Sequence, residues 1–160
     1  MTRQEAWDLL CRWISSEQLR RHALAVEAAM RFYAAKFGQD PEPWGLVGLL
    51  HDMDYERFPS PPDHAAKAVE ELARLGVDEE VVAAVGAHAD WLHDRYPLDR
   101  PIRKAIWAVD ELTGFVIAVA LVRPSKSLSD LAAKSVKKKM KEKSFAAAVD
   151  TLAGEARPPA

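Results

Sequence analysis

An all-helical, single-domain fold is predicted by three features of the sequence. Apolar residues recur at helical spacing, capping and stop residues fall at the ends of those periodic stretches, and no segment shows the alternation of a half-buried strand. The chain has 160 residues, of which 49% are hydrophobic and 29% charged. That length suits one domain burying roughly two thirds of its unfolded surface around one core. The sequence holds neither internal repeats nor sustained heptads.

The first helix is expected over residues 4–14, with a break at Ser15-Ser16. Ser15 with Gln18 three residues on fits a capping box for the next helix, whose inner face is read as Leu19, His22, Val26, Met30, Tyr33 and Phe37. His22 therefore points inward. Gly38 closes this helix, and Pro41 and Pro43 open another. That third stretch, Trp44-Gly45-Leu46-Val47-Gly48-Leu49-Leu50-His51-Asp52-Met53-Asp54, reads as a short buried helix ending abruptly in polar residues. A helix's carboxyl end carries partial negative charge, so an anionic side chain there costs roughly 0.3–1 kcal/mol. Two carboxylates there ask for a cation. An ionised carboxylate next to a core must be paired or metal-bound, and His51 beside Asp52 favours metal.

Phe58 to Pro62 form a rigid loop, after which Asp63 is expected to cap a helix running to about Leu75. Gly76 stops it, and Asp78 starts another on which Val81, Val85, His88 and Leu92 share a face. His88 is thus presented inward, as His22 is. A charged loop from Asp94 to Pro101 precedes a long helix over about 102–122, with Ile106, Asp110, Thr113 and Ile117 on one side. Asp110 sits among apolar neighbours. Pro124 ends that helix, and the remainder reads as short helices: Ser127 to Ala133, the lysine-rich turn to Lys143, and Ser144 to Leu152 with Ser144 as cap. The single domain, 1–160, then comprises a core over 16–122, a basic helical extension over 123–153 and a frayed tail over 154–160.

The formal net charge of -2 conceals a basic stretch from Arg123 to Lys143 set against an acidic middle, so an anion-binding surface is expected late in the chain. Cys11 is the only cysteine, which forbids an intrachain disulfide and fits a reducing compartment; it reads as a small buried apolar residue. The amino terminus lacks the pattern of a secretory signal, and no apolar run approaches membrane-spanning length. A cytoplasmic protein with no membrane partner is expected.

Four inward-facing polar residues come from three separate helices: His22, the His51-Asp52 pair and Asp110. Imidazole nitrogen with carboxylate oxygen suits divalent Mn, Fe, Co, Ni or Zn better than calcium. His64 and His88 raise the set to four histidines and two aspartates, enough for two ions sharing a carboxylate. Singly, an inward histidine is more often a hydrogen-bonded core residue, and a buried aspartate a cap or half of an ion pair. Here four of the five histidines fall at inward or helix-end positions, and one explanation must cover them together.

The order His22, His51-Asp52, Asp110 on an all-helical chain resembles the HD-domain superfamily of metal-dependent phosphohydrolases, and His64 and His88 resemble its binuclear members. The resemblance covers about His22 to Asp110. An isolated His-Asp pair is a weak signal, as His93-Asp94 demonstrates, but the whole series is a strong one. It implies a compact helical HD domain of about six to nine helices around a metal site. His22, His51, Asp52 and Asp110 would hold the first ion, and His64 and His88 a second, with Asp52 bridging. In the subgroup named for His-Asp-Ile-Gly the pair is followed by Ile and Gly, whereas this chain has Met53 and Asp54. Asp54 is close enough in sequence to bind a catalytic water or to act as general acid or base beside Asp52.

The segment Arg123-Pro124-Ser125-Lys126-Ser127-Leu128 and the run Lys134 to Lys143 resemble the tail of small bacterial proteins of that subgroup. Arg123 and Lys126 are expected to bind substrate phosphate, with Ser127 heading a helix whose amides bind an anion. The lysine run reads as a solvated face. The activity implied is hydrolysis of a small nucleotide-like phosphate ester by a water that one or two divalent transition-metal ions activate. The protein would then be a monomer or homodimer with a small phosphorylated partner. One rival keeps the ligands and changes the reaction to that of an HD-type di-iron oxygenase. The other is a noncatalytic, metal-stabilised helical module binding nucleic acid through 134–143, which the modest net charge and the lack of interleaved aromatics disfavour.

Overall fold

The computed structural model describes residues 1–145. Among them are seven α-helices and one short 3₁₀ turn, with no strand. The helices are α1 (Arg3–Trp13), α2 (Glu17–Lys36), α3 (Pro41–Leu50), α4 (Ala66–Arg74), α5 (Glu79–Ala87), α6 (Pro101–Leu121) and α7 (Ala133–Met140); the 3₁₀ turn is Asp90–Leu92. The fold is all-α, as the sequence predicts. Contacts gather into two units, Met1–Asp110 and a second beginning at Glu111, the division falling inside α6. No helix among the described residues is long and apolar enough to cross a membrane.

The first unit is built around α3. Every residue from Trp44 to Leu50 is buried, and α3 packs on α1, α2 and α5. A helix apolar on all sides is stable in water only when other helices cover every face. Asp40 caps its first turn through the Glu42 amide, with Pro41 at the first helical position. The core continues with Leu9, Leu10 and Ile14 around α1, Val26 and Met30 of α2, Leu72 of α4, Val81 and Val85 of α5, and Ile106 of α6.

One buried carboxylate ties three helices together. The Glu27 side chain of α2 is 6% exposed and accepts two bonds from the Arg3 guanidinium, at 2.8 and 2.9 Å, and one from Arg31 Nε at 3.0 Å. Arg31 also donates to Glu42 at 2.6 Å, which brings α3 into the network. Two guanidinium partners meet the requirement that a buried carboxylate be paired.

Several helix ends differ from expectation, each because a distant residue takes over a local role. Ser16, not Ser15, caps α2 through the Leu19 amide. The Ser15 hydroxyl instead donates to Glu56 at 2.6 Å, 41 residues away. Phe37 lies at the carboxyl end of α2, 50% exposed and stacked near Tyr33 and Trp44 rather than turned into the core. Asp63 caps no helix, since α4 begins only at Ala66 and its cap residue, Ala65, makes no side-chain bond. Asp78 caps α5 through the amides of Glu80 and Val81, but α5 stops at Ala87, leaving His88 as its cap and Leu92 in the 3₁₀ turn.

In the second unit, residues 127–132 form turns rather than the expected helix. Ser125 and Arg123 both donate to Asp130, and the Ser127 hydroxyl accepts from the Ser129 amide. Ser127 thus heads no helix. The lysine run forms α7, residues 143–145 are helical, and most of the expected 144–152 helix lies outside the described residues.

Gly48 packs directly against the α2 backbone. A Cβ there would lie 2.8 Å from the Glu27 backbone nitrogen and Cα and from the Val26 carbonyl oxygen, whereas at Gly45 it would meet the tip of the flexible Arg31 side chain. Backbone cannot yield as a side chain can. Gly48→Ala is expected to destabilise the protein by about 1–3 kcal/mol and more than Gly45→Ala does, measured by urea unfolding.

Candidate metal centre

Two of the histidines owe their position to a helix end. The last carbonyls of a helix have no intrahelical donor. His51 caps α3 and His88 caps α5, and each ring turns back on a carbonyl three residues earlier: His51 Nδ1 lies 2.9 Å from the Gly48 oxygen, His88 Nδ1 2.5 Å from the Val85 oxygen. A carbonyl oxygen only accepts, so both Nδ1 atoms carry the proton. In the neutral ring, the bond that satisfies the helix end therefore leaves Nε2 as the lone pair, aimed away from the helix.

Those lone pairs meet others. His22, in the second turn of α2, places Nε2 3.3 Å from His51 Nε2 and 2.9 Å from Asp110 Oδ1. His51 Nε2 is 3.3 Å from the same Asp110 oxygen and 3.5 Å from Asp52 Oδ2, which lies 3.8 Å from His22 Nε2. On the other side of Asp52, Oδ1 is 3.4 Å from His64 Nε2 and 3.4 Å from His88 Nε2, and those two nitrogens are 3.4 Å apart. Within each cluster, His22-His51-Asp52-Asp110 and Asp52-His64-His88, the donor atoms lie within 4.8 Å of one another. Asp52 joins the two, one oxygen to each.

The donor set fits divalent ions. Two ligands about 2.05 Å from a common ion are about 2.9 Å apart at a right angle and about 3.4 Å apart at a tetrahedral angle. The clusters' own contacts span 2.9 to 3.8 Å and 3.4 Å throughout. Imidazole with carboxylate is the ligand class of first-row transition metals.

The charges also point to a cation. Burial disfavours the charged form of His51, but the carboxylates of Asp52 and Asp110 outweigh it and hold its pKa well above the usual imidazole value. Burial likewise works against charge on Asp52 and Asp110, yet His51, with His88 at Asp52 and His22 at Asp110, keeps both well below the usual carboxylate range. The two carboxylates thus favour positive charge at His51.

The structure brings together His22, His51, Asp52, His64, His88 and Asp110, the six residues singled out in the sequence as ligands. The fifth histidine, His93, lies apart from both clusters, its Nε2 3.0 Å from the Ala87 carbonyl oxygen at the end of α5. Asp54 departs from expectation. It is fully buried, with Oδ1 2.9 Å from His64 Nδ1 and Oδ2 accepting the Ala68 amide at 2.8 Å. Both oxygens of this carboxylate are thus engaged, one toward the His64 ring and one at the start of α4, and neither faces solvent. Arg123 Nη2 donates to the Asp130 carboxylate at 2.8 Å, its buried Nε has no partner among the described residues, and Lys126 takes a positive φ of 48°. Both belong to the unit beginning at Glu111.

Two aromatic residues outside the predicted set pack against His64. The Tyr55 ring meets the His64 ring edge-on at 5.1 Å between centroids, and Trp91 lies at 5.7 Å with its indole N–H donating to the His64 carbonyl at 3.4 Å. Proximity in sequence was the signal available, since Tyr55 follows Asp54 and Trp91 comes three residues after His88.

A family model for the HD domain matches residues 19–150. No curated protein and no solved structure matches the chain.

The raised His51 pKa fixes how pH and metal act together. Without metal, the stability it contributes is present below about pH 6.5 and lost as pH rises through its higher folded value, while that of Asp52 and Asp110 is lost as pH falls below about 4. Metal must displace the His51 proton, so its binding strengthens with pH. The melting-temperature gain from added metal is expected to grow between about pH 6 and 8, with proton release measured by calorimetry in buffers of different ionisation enthalpy. A gain independent of pH would count against metal on His51.

Proposed function

The chain belongs to the HD-domain superfamily of metal-dependent phosphohydrolases, and on that premise we propose that it hydrolyses a small nucleotide-like phosphate ester. The observation that supports this most directly is Asp52, whose two oxygens face two separate sets of histidine nitrogens. That is the arrangement two ions sharing one carboxylate require. His22, His51, Asp52 and Asp110 would hold the first ion and Asp52, His64 and His88 the second, as Fe, Mn, Co, Ni or Zn.

Bound there, such ions polarise phosphoryl oxygens and lower the pKa of water from about 15.7 toward ~7. The protein's own contribution is preorganisation. His51 and His88 are locked by main-chain carbonyls and Asp52 is held between four imidazoles, so the donors need no rearrangement during turnover. Asp52 is the group in reach of both ions and is the catalytic carboxylate in this reading. Arg123 and Lys126 are the residues proposed to bind the substrate phosphate. A cytoplasmic monomer or homodimer acting on a metabolite-sized phosphate ester is the form proposed.

His51→Ala or Asp52→Ala is expected to bring metal-dependent hydrolysis of phosphorylated metabolites to background, while Lys138→Ala on the lysine-rich face of α7 stays within about twofold of wild type. Arg123→Ala is expected to raise KM about tenfold or more with a smaller change in kcat, as loss of a phosphate contact does. Equal loss from His51→Ala, Asp52→Ala and Lys138→Ala would sink the assignment. Iron content with oxygen-dependent turnover and no phosphate release would replace it with an oxygenase.

A further inference from the structure

Asp54 brackets the most awkward piece of backbone in the first unit. Ala65 takes φ +63°, a left-handed conformation that non-glycine residues disfavour, and as the cap residue of α4 it offers no side-chain acceptor to the helix. The residue before it is His64, a candidate ligand, and three residues after it is Ala68, at the third position of α4. Asp54 holds both. Its Oδ2 accepts the Ala68 amide at 2.8 Å, supplying from 14 residues away the cap that Ala65 lacks, and its Oδ1 lies 2.9 Å from His64 Nδ1.

The second bond has a chemical consequence. A carboxylate accepts, so the His64 proton sits at Nδ1 and Nε2 is left as a lone pair. That nitrogen is the one 3.4 Å from both Asp52 Oδ1 and His88 Nε2. The His51 and His88 tautomers are set by main-chain carbonyls, whereas the ring N–H of His64 points at a buried carboxylate. From this geometry we infer that Asp54 is a positioning residue for the second metal site: it selects the His64 tautomer that can bind an ion and, by capping α4, fixes where that ring stands. The inference deepens the metal reading proposed above and rests on it.

The two tasks separate in Asp54→Asn. Two donors, the Ala68 amide and the His64 ring N–H, then face one acceptor. The amide cannot move its proton, whereas imidazole can, so the asparagine oxygen stays on Ala68 and its NH₂ faces His64 Nδ1. The histidine proton shifts to Nε2 and blocks the site. Full-length protein stripped of metal and titrated with cobalt(II) is the assay, with melting curves and histidine ¹⁵N shifts of the metal-free forms.

Wild type is expected to take up two equivalents of cobalt and to carry the His64 proton at Nδ1. Asp54→Asn is expected to melt within a few degrees of wild type, carry that proton at Nε2 and bind the second equivalent about 10- to 100-fold more weakly. Should the variant fail to fold, the wild-type shifts decide alone: a His64 proton at Nε2 in the metal-free protein overturns the inference. So does a variant that binds both equivalents as tightly as wild type. Wild-type protein that binds no cobalt overturns the metal reading itself, and this inference with it.

Discussion

Nitrogen lone pairs and carboxylate oxygens brought together inside a protein repel unless something positive stands between them. The rest of this structure is arranged around that requirement. α3 and α5 both end at the clusters, so the partial negative charge of two helix carboxyl ends adds to that of Asp52 and Asp110. His51 and His88 each neutralise one of those terminal carbonyls and in doing so turn the other ring nitrogen toward their partners. The concentration of negative potential is a product of how the helices stop.

Delivering those helix ends to one place constrains the core. α3 has no polar face because it has no solvent face, and at Gly48 the α2 backbone occupies the space a side chain would need. The same Gly48 supplies the carbonyl that orients His51. Packing and ligand geometry therefore converge on one residue. The Arg3-Glu27-Arg31-Glu42 network fastens α1, α2 and α3 beside that contact, and Glu56 fastens the α1–α2 junction at Ser15 and Ser16. The short segment that follows the His-Asp pair thus reaches back to the start of the helix that carries His22.

What was legible in the sequence was what depends on neighbours along the chain. The apolar run ending in His51-Asp52 marks a buried helix and its site, and helical spacing turns His22, Asp110 and, one residue past the end of α5, His88 inward. What could not be read were roles filled from afar. Ser15 and Asp63 look like caps because their local patterns are right, yet Glu56 claims Ser15 from 41 residues on, and Asp54 caps α4 in place of any residue beside it. Asp54 itself has the sequence position of a catalytic acid and the burial of a structural one, and only the Ala68 amide and the His64 ring distinguish them. In 127–132, the pull of Asp130 on Arg123 and Ser125 overrides a helical pattern too weak to stand alone.

The two clusters do not depend on an ion equally. In the first, His22 and Asp110 stand 2.9 Å apart, within hydrogen-bond reach, and the carboxylates favour positive charge on His51. A proton can serve there in place of a metal. In the second, Asp52 Oδ1, His64 Nε2 and His88 Nε2 form a triangle with every side 3.4 Å, beyond the length at which a shared proton is well held. Their other ring nitrogens face Asp54 and the Val85 carbonyl. Matched edges of that length are what a tetrahedrally coordinated cation asks of its ligands. The fold holds that triangle in place through one buried carboxylate and one helix end.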